Sequence, residues 1–175
     1  MFKSFFKSIQ EHITENIDTI TCSEFRDLYV DFVKAHNEYG GGTKDLTGFS
    51  EFLVSNYLGA YFRGKGEIQI LHDKPLVGRK LQHPDFQIWN NEELVGLVSV
   101  KANTAGSIKM YGQDKERLEN VKQGNTPSIT ICFYKGNAGL KSIQKIEQTM
   151  INHKFIILEQ EGTKSLKEAI DQVFR

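Results

Sequence analysis

From the start of the chain, apolar residues recur at three- and four-residue steps: Phe2, Phe5, Phe6, Ile9, Ile13 and Ile17, then Phe25, Leu28, Tyr29, Phe32 and Val33 behind a Thr21-Cys22-Ser23-Glu24 start signal. That spacing predicts two amphipathic helices within residues 1–39. Gly40-Gly41-Gly42 then breaks the pattern, because three successive glycines lose too much chain entropy to continue a helix and make a natural hinge. Residues 45–61 read as a third helix, with Ser50 and Glu51 early on it and Gly64 and Gly66 closing it. From there the period shortens to two. Stretches 67–71, 85–89 and 94–101 read as strands, the last two joined by a tight turn at Asn90-Asn91-Glu92-Glu93, which together predict a β-meander. A polar helix over 107–122, a buried strand over 128–134, a helix over 140–152, a strand over 154–158 and a helix over 165–174 complete the reading.

The order of elements predicts an α/β (α+β) fold, a mixed central sheet flanked by helices, in which the later strands, joined through helices, run parallel. The glycine run divides it into an N-terminal helical region, residues 1–39, and a core, residues 43–175. The whole has 175 residues, of which 39% are hydrophobic, 25% charged and only 3 are proline, which excludes a disordered or fibrous chain. Its longest apolar runs, such as Phe155-Ile-Ile-Leu158, fall far short of the roughly 20 residues a membrane helix needs, and the charged N-terminus lacks a secretory core. A cytoplasmic protein is the expectation. Cys22 and Cys132, the two cysteines, are far apart and form neither a disulfide framework nor a zinc motif. With 22 basic and 22 acidic residues there is no net charge, so any contact with nucleic acid requires a local patch.

Chemistry is concentrated in the meander. Alternation puts Ser99 and Lys101 on one face of the third strand, and Asp85 and Gln87 share a face of its antiparallel neighbour. A carboxylate and an amine are thereby predicted to meet at one edge of the sheet. The carboxylate suits a hard cation such as Mg²⁺, which is commonly bound by one or two carboxylates, water and substrate phosphate. The ammonium suits orienting a water and balancing charge on a phosphorus under attack. Taken alone, Pro-Asp is a common strand start and a strand-end lysine commonly reaches solvent; the order of elements around them adds the weight.

Pro84-Asp85, followed by Lys101 in an apolar strand, resembles the PD-(D/E)XK nuclease superfamily, whose core is a helix, a three-stranded meander, a helix and a further strand. The resemblance covers residues 49–134 and implies a restriction-endonuclease-like core in which Asp85 holds the metal and Lys101 serves catalysis. The sequence departs from the family at Ser99, where Glu or Asp is usual, and a neutral hydroxyl is a poor ligand for Mg²⁺. Some restriction endonucleases of this superfamily carry Ser-Val-Lys here and take the acid from the following helix. The resemblance therefore directs attention to Asp114, Glu116 and Glu119, with Glu116 first and Glu119 second, and to Glu51, where family members place a metal-facing carboxylate.

Catalytic candidates are thus Asp85, Lys101, Glu116, Glu51 and Ser99, with Asp85, Glu116 and Glu51 as metal ligands. The implied cofactor is Mg²⁺, with Mn²⁺ able to substitute. The implied activity is that of a type II restriction enzyme cutting double-stranded DNA. Cutting both strands of a palindromic site calls for a homodimer, and the phenylalanine-rich N-terminal helices are the expected interface. Two local basic stretches, Arg63, Lys65, Lys74, Arg79 and Lys80, and Lys109, Lys115, Arg117 and Lys122, are candidates for phosphate contact. Gln82, Asn103 and Gln113 are possible base readers. A structure-specific junction or repair nuclease shares the same chemistry, and Ser99 raises a third reading, a catalytically silent nuclease fold that only binds DNA. His72, His83 and His153 lack the spacing of zinc ligands.

Overall fold

The computed structural model describes residues 2–39, 43–74, 84–102, 108–134 and 140–174. The glycine run at 40–42, the basic residues Arg79 and Lys80, His83, and the candidate base readers Gln82 and Asn103 lie outside those residues.

Helix α1 (Phe2–Glu15) buries Ile9 and Ile13, one turn apart. Helix α2 (Cys22–Glu38) opens with a reciprocal capping box, in which Thr21 Oγ1 accepts from the Glu24 amide and the Glu24 carboxylate accepts from the Thr21 amide; this satisfies two amides the helix itself leaves unpaired. Its apolar face, Phe25 and Tyr29, packs on Phe133, with ring centroids 5.9 and 4.7 Å apart. Helix α3 (Thr43–Tyr61) lies against α1 and against the sheet through Phe49, Leu53, Val54, Tyr57 and Leu58.

Strands β1 (Ile68–His72), β2 (Phe86–Asn90) and β3 (Glu93–Lys101) form the meander. The β2–β3 turn places Asn91 at φ 52°, a left-handed conformation that asparagine tolerates better than most residues. Helix α4 (Ile108–Val121) then crosses to β4 (Ser128–Cys132), and α5 (Leu140–Glu147) to β5 (His153–Ile157). Two short helices follow, α6 (Leu158–Glu161) and α7 (Leu166–Asp171), the latter with Ser165 as its N-cap.

The sheet order is β1-β2-β3-β4-β5. β1, β2 and β3 pair antiparallel, and β3, β4 and β5 pair parallel. The expected mixed sheet and the parallel later strands are both present. Alternation splits the core between the two faces. Phe86, Val98, Val100, Ile129 and Ile131 pack with α1, α2, α3, α6 and α7. Leu97, Cys132, Phe155 and Ile157 pack with Leu118 and Val121 of α4 and Ile143 of α5. The N-terminal helices thus share one continuous core with the sheet.

Both ends of the sequence are stitched together. The Cys22 amide donates to the Lys164 carbonyl at 2.9 Å, Ser23 to Gly162 at 2.9 Å, and Leu166 to Ile20 at 3.0 Å, around a bridge between Thr21 and Ser165. The Tyr61 hydroxyl donates to Asp171 at 2.5 Å, and Phe174 seats its ring where Gly96 has no side chain; a Cβ there would lie 2.5 Å from that ring. Among the described residues no helix is long and apolar enough to cross a membrane.

Candidate active site

Asp85 immediately precedes β2 and Lys101 ends β3, so antiparallel pairing brings them to the same end of the sheet. This is also the carboxyl end of β3 and β4, the side on which parallel strands commonly present ligand sites. The ends of β1 and β2 are tied together here: the Asp73 amide donates to the Asp85 carbonyl at 2.9 Å, and Gln87 Nε2 donates to the Lys74 carbonyl. Trp89 Nε1 in turn donates to Gln87 Oε1 at 3.1 Å.

Ser99 is the junction of the site. Its Oγ donates to Asp85 Oδ2 at 3.0 Å and accepts from Lys101 Nζ at 3.1 Å and Arg117 Nη2 at 2.6 Å. One donor and two acceptors are all a hydroxyl offers, so its capacity is fully used, and Ser99 is completely buried. Asp85 Oδ2 accepts a further bond from the Val100 amide at 2.6 Å and stands 3.8 Å from Arg117 Nη2. The carboxylate therefore faces the guanidinium directly and is linked to the Lys101 ammonium through the shared hydroxyl. The register pairs Ser99 with Thr130, whose partner on β5 is Phe155; His153, paired with Ser128, contacts Ser128 Oγ at 2.7 Å and reaches Thr130 Oγ1 at 3.4 Å.

Three of the five candidates, Asp85, Ser99 and Lys101, are brought together. Glu116 and Glu51 make no hydrogen bond or ion pair with these three. Leu118 and Val121 turn one side of α4 onto the core, and at 100° per residue Glu116 falls about 160° away from Leu118; it is exposed. Its neighbour Arg117 is the residue of α4 that reaches Ser99. Glu119 pairs with Lys122 Nζ at 3.1 Å. The Lys122 ammonium, 4% exposed, also donates to the Ile151 carbonyl, tying α4 to the segment before β5, and burial draws its pKa below the usual lysine range. Asp114 is one turn before Leu118; its side chain lies outside the described residues. Glu51 is half-buried on α3 and its Oε2 contacts His72 Nε2 at 2.9 Å, while the His72 ring stacks on Phe86 at 4.8 Å.

Arg117 entered the sequence reading only as part of a basic stretch. The signal that singles it out was present in Leu118 and Val121, which set the buried face of the helix and hence which neighbours lie beside it.

The donor set fits a hard divalent cation in one manner. An ionised carboxylate has about four lone-pair positions, and the Ser99 and Val100 donors use two of those on Asp85; the remainder suit a Mg²⁺ ion completed by water and substrate oxygens. Among the described residues no three of His, Cys, Asp and Glu converge. A groove of about 780 Å³ lined by Tyr61, Lys65, Asn90, Val95, His153 and Phe174 lies at the opposite end of the sheet. Its carboxylate, Glu147, is engaged by the Phe155 amide at 2.6 Å, so size alone does not make it the reactive centre.

No family model, curated protein or solved structure matches the chain.

Proposed function

We propose that the chain is a small nuclease that hydrolyses phosphodiester bonds in double-stranded DNA, of the type II restriction kind, with Mg²⁺ or Mn²⁺ as cofactor. What supports this reading is the convergence of Asp85, Ser99 and Lys101 where β2 begins and β3 ends, within the succession α3, β1, β2, β3, α4, β4. That succession is the helix, meander, helix and strand to which the sequence bears a resemblance.

Asp85 would hold the cation, which supplies Lewis acidity to the phosphate and lowers the pKa of a bound water. Ser99 and the Val100 amide fix the carboxylate so that it presents a constant edge. Lys101, anchored at 3.1 Å by Ser99 Oγ, orients the attacking water and offsets charge gathering on the phosphorus. In the overall step a water oxygen bonds to phosphorus, the bond from phosphorus to one ester oxygen breaks, and that oxygen takes up a proton. The products are a phosphate monoester end and a hydroxyl end. Glu51 and Glu116 remain the acids proposed to supply a further oxygen ligand. A homodimer built on α1 and α2 would cut both strands; Phe5, half-exposed on α1, is the apolar side chain it would cover.

The saturated Ser99 hydroxyl, at which Asp85 is the one carboxylate among the described residues, favours a second reading: a nuclease fold that binds DNA without cutting it. One experiment separates the two. Purified protein incubated with supercoiled plasmid and Mg²⁺ or Mn²⁺ yields nicked and linear DNA, and a sharp fragment ladder if it is sequence-specific. Intact plasmid under all conditions, together with retained DNA binding, would establish the silent module.

A further inference from the structure

Resting on the nuclease reading, we propose that Arg117 is the residue that receives the phosphate of the substrate, and that in the DNA-free protein it occupies Asp85 instead, so that the divalent cation and the nucleic acid enter the site together. The geometry carries this. Arg117 Nη2 lies 2.6 Å from Ser99 Oγ and 3.8 Å from Asp85 Oδ2, and Lys101 Nζ reaches the same hydroxyl at 3.1 Å. Both cations donate to the hydroxyl that is bonded to Asp85, and Arg117 also stands beside the carboxylate itself. A phosphodiester, with one negative charge, is attracted to these groups; a divalent cation approaching Asp85 meets the guanidinium.

Guanidinium is planar and presents five donors in a fork that matches two phosphate oxygens. The Arg117 side chain is 28% exposed, so part of that fork faces solvent at the mouth of the site. When a phosphate takes the guanidinium, the Asp85 carboxylate loses its counter-charge and the phosphate adds its own oxygens. Both changes favour the cation. In this chain the second acid of the related nucleases has no counterpart at position 99, and an arginine of the following helix stands beside the hydroxyl. The substrate phosphate then brings oxygens to the cation beside Asp85.

The test measures Mn²⁺ binding by the loss of the free-ion electron paramagnetic signal, with and without mixed-sequence duplex fragments prepared from plasmid. Wild-type protein is compared with Arg117→Gln, Arg117→Lys and Asp85→Asn, each first shown by thermal melting to be folded. Without DNA, Arg117→Gln is expected to bind Mn²⁺ about tenfold more tightly than wild type, the size expected for a unit charge facing a divalent one several ångström away in largely solvated surroundings. Arg117→Lys, which keeps the charge, is expected to match wild type. Adding duplex is expected to tighten Mn²⁺ binding to wild type about tenfold or more, and to tighten it less in Arg117→Gln, which also binds the duplex more weakly. Equal Mn²⁺ affinity in wild type and Arg117→Gln, or a wild-type affinity that duplex leaves unchanged, would overturn the proposal. A distinct outcome, Asp85→Asn binding Mn²⁺ as wild type does, would overturn the metal site itself and the nuclease reading with it.

Discussion

Replacing Ser99 by alanine removes one oxygen atom and three hydrogen bonds. A bond to a charged partner typically contributes about 1.5–3 kcal/mol net, so the uncorrected sum over three would be about 4.5–9 kcal/mol. Two features reduce it. Asp85 keeps the Val100 amide at 2.6 Å, so its carboxylate is not orphaned. The Arg117 and Asp85 side chains, 28% and 20% exposed, regain water. What remains is a net loss of about 2 kcal/mol, which for a chain of this length corresponds to a melting temperature lower by about 4–8 °C. Urea titration reports it as a lower midpoint with an unchanged slope. Combining Ser99→Ala with Arg117→Gln gives a second readout: because both delete the same 2.6 Å bond, their costs should fall short of additivity by about 1 kcal/mol. A midpoint equal to wild type, or strict additivity, would show that Ser99 does not join these groups, and the account of the site would fall.

Asp85→Asn is expected to abolish Mg²⁺-dependent nicking of supercoiled plasmid, and Lys101→Ala to slow it by about 10²–10⁴-fold; wild-type rates in both variants would remove the assigned site. Gly96→Ala puts a methyl group 2.5 Å from the Phe174 ring and 3.1 Å from Ile88, an overpacking expected to cost about 1–3 kcal/mol in chemical denaturation. Phe174→Leu in the same background should recover part of that loss, and an unperturbed Gly96→Ala midpoint would contradict the packing. Burial pushes the Cys22 thiol up to about 12 from its ordinary 9.0, so above about pH 9 the unfolded chain gives up a proton that the folded chain retains. The resulting stability is complete below pH 9 and drains away as pH rises toward 12; Cys22→Ala should flatten that part of the stability profile, and an identical alkaline profile would refute the assignment.

The fold was legible because its periods are distinct. The alternation of β2 and β3 and the β-branched run Ile129-Thr130-Ile131 of β4 mark strands, and Thr21 and Ser165 signal two helix starts that the structure places at those residues. Helix α6 escaped because a single turn follows β5 directly, and Phe155-Ile-Ile-Leu158 reads as one buried run whether its last residue is strand or helix. At the site, the shared face of Ser99 and Lys101 and the approach of Asp85 followed from alternation and antiparallel pairing. The meeting of Glu51 with His72 did not, since it depends on how α3 lies across β1. Arg117 was less legible: the departure at Ser99 implies a missing negative charge, whereas α4 places a positive one beside the hydroxyl.

The stitching of α2 to the segment around Ser165 bears on how the molecule is made and how it opens. The amides of Cys22 and Leu166 are held by partners far away in sequence, so each bond closes a loop that spans most of the chain. Such non-local closure slows folding and makes the first helices dependent on the last. In native-state hydrogen exchange these two amides should therefore open only with the whole molecule, at the protection of the central strands and far above that of the exposed start of α1. A protease that nicks the polypeptide anywhere between them would leave fragments still held together, with the N-terminal piece clamped by the C-terminal one.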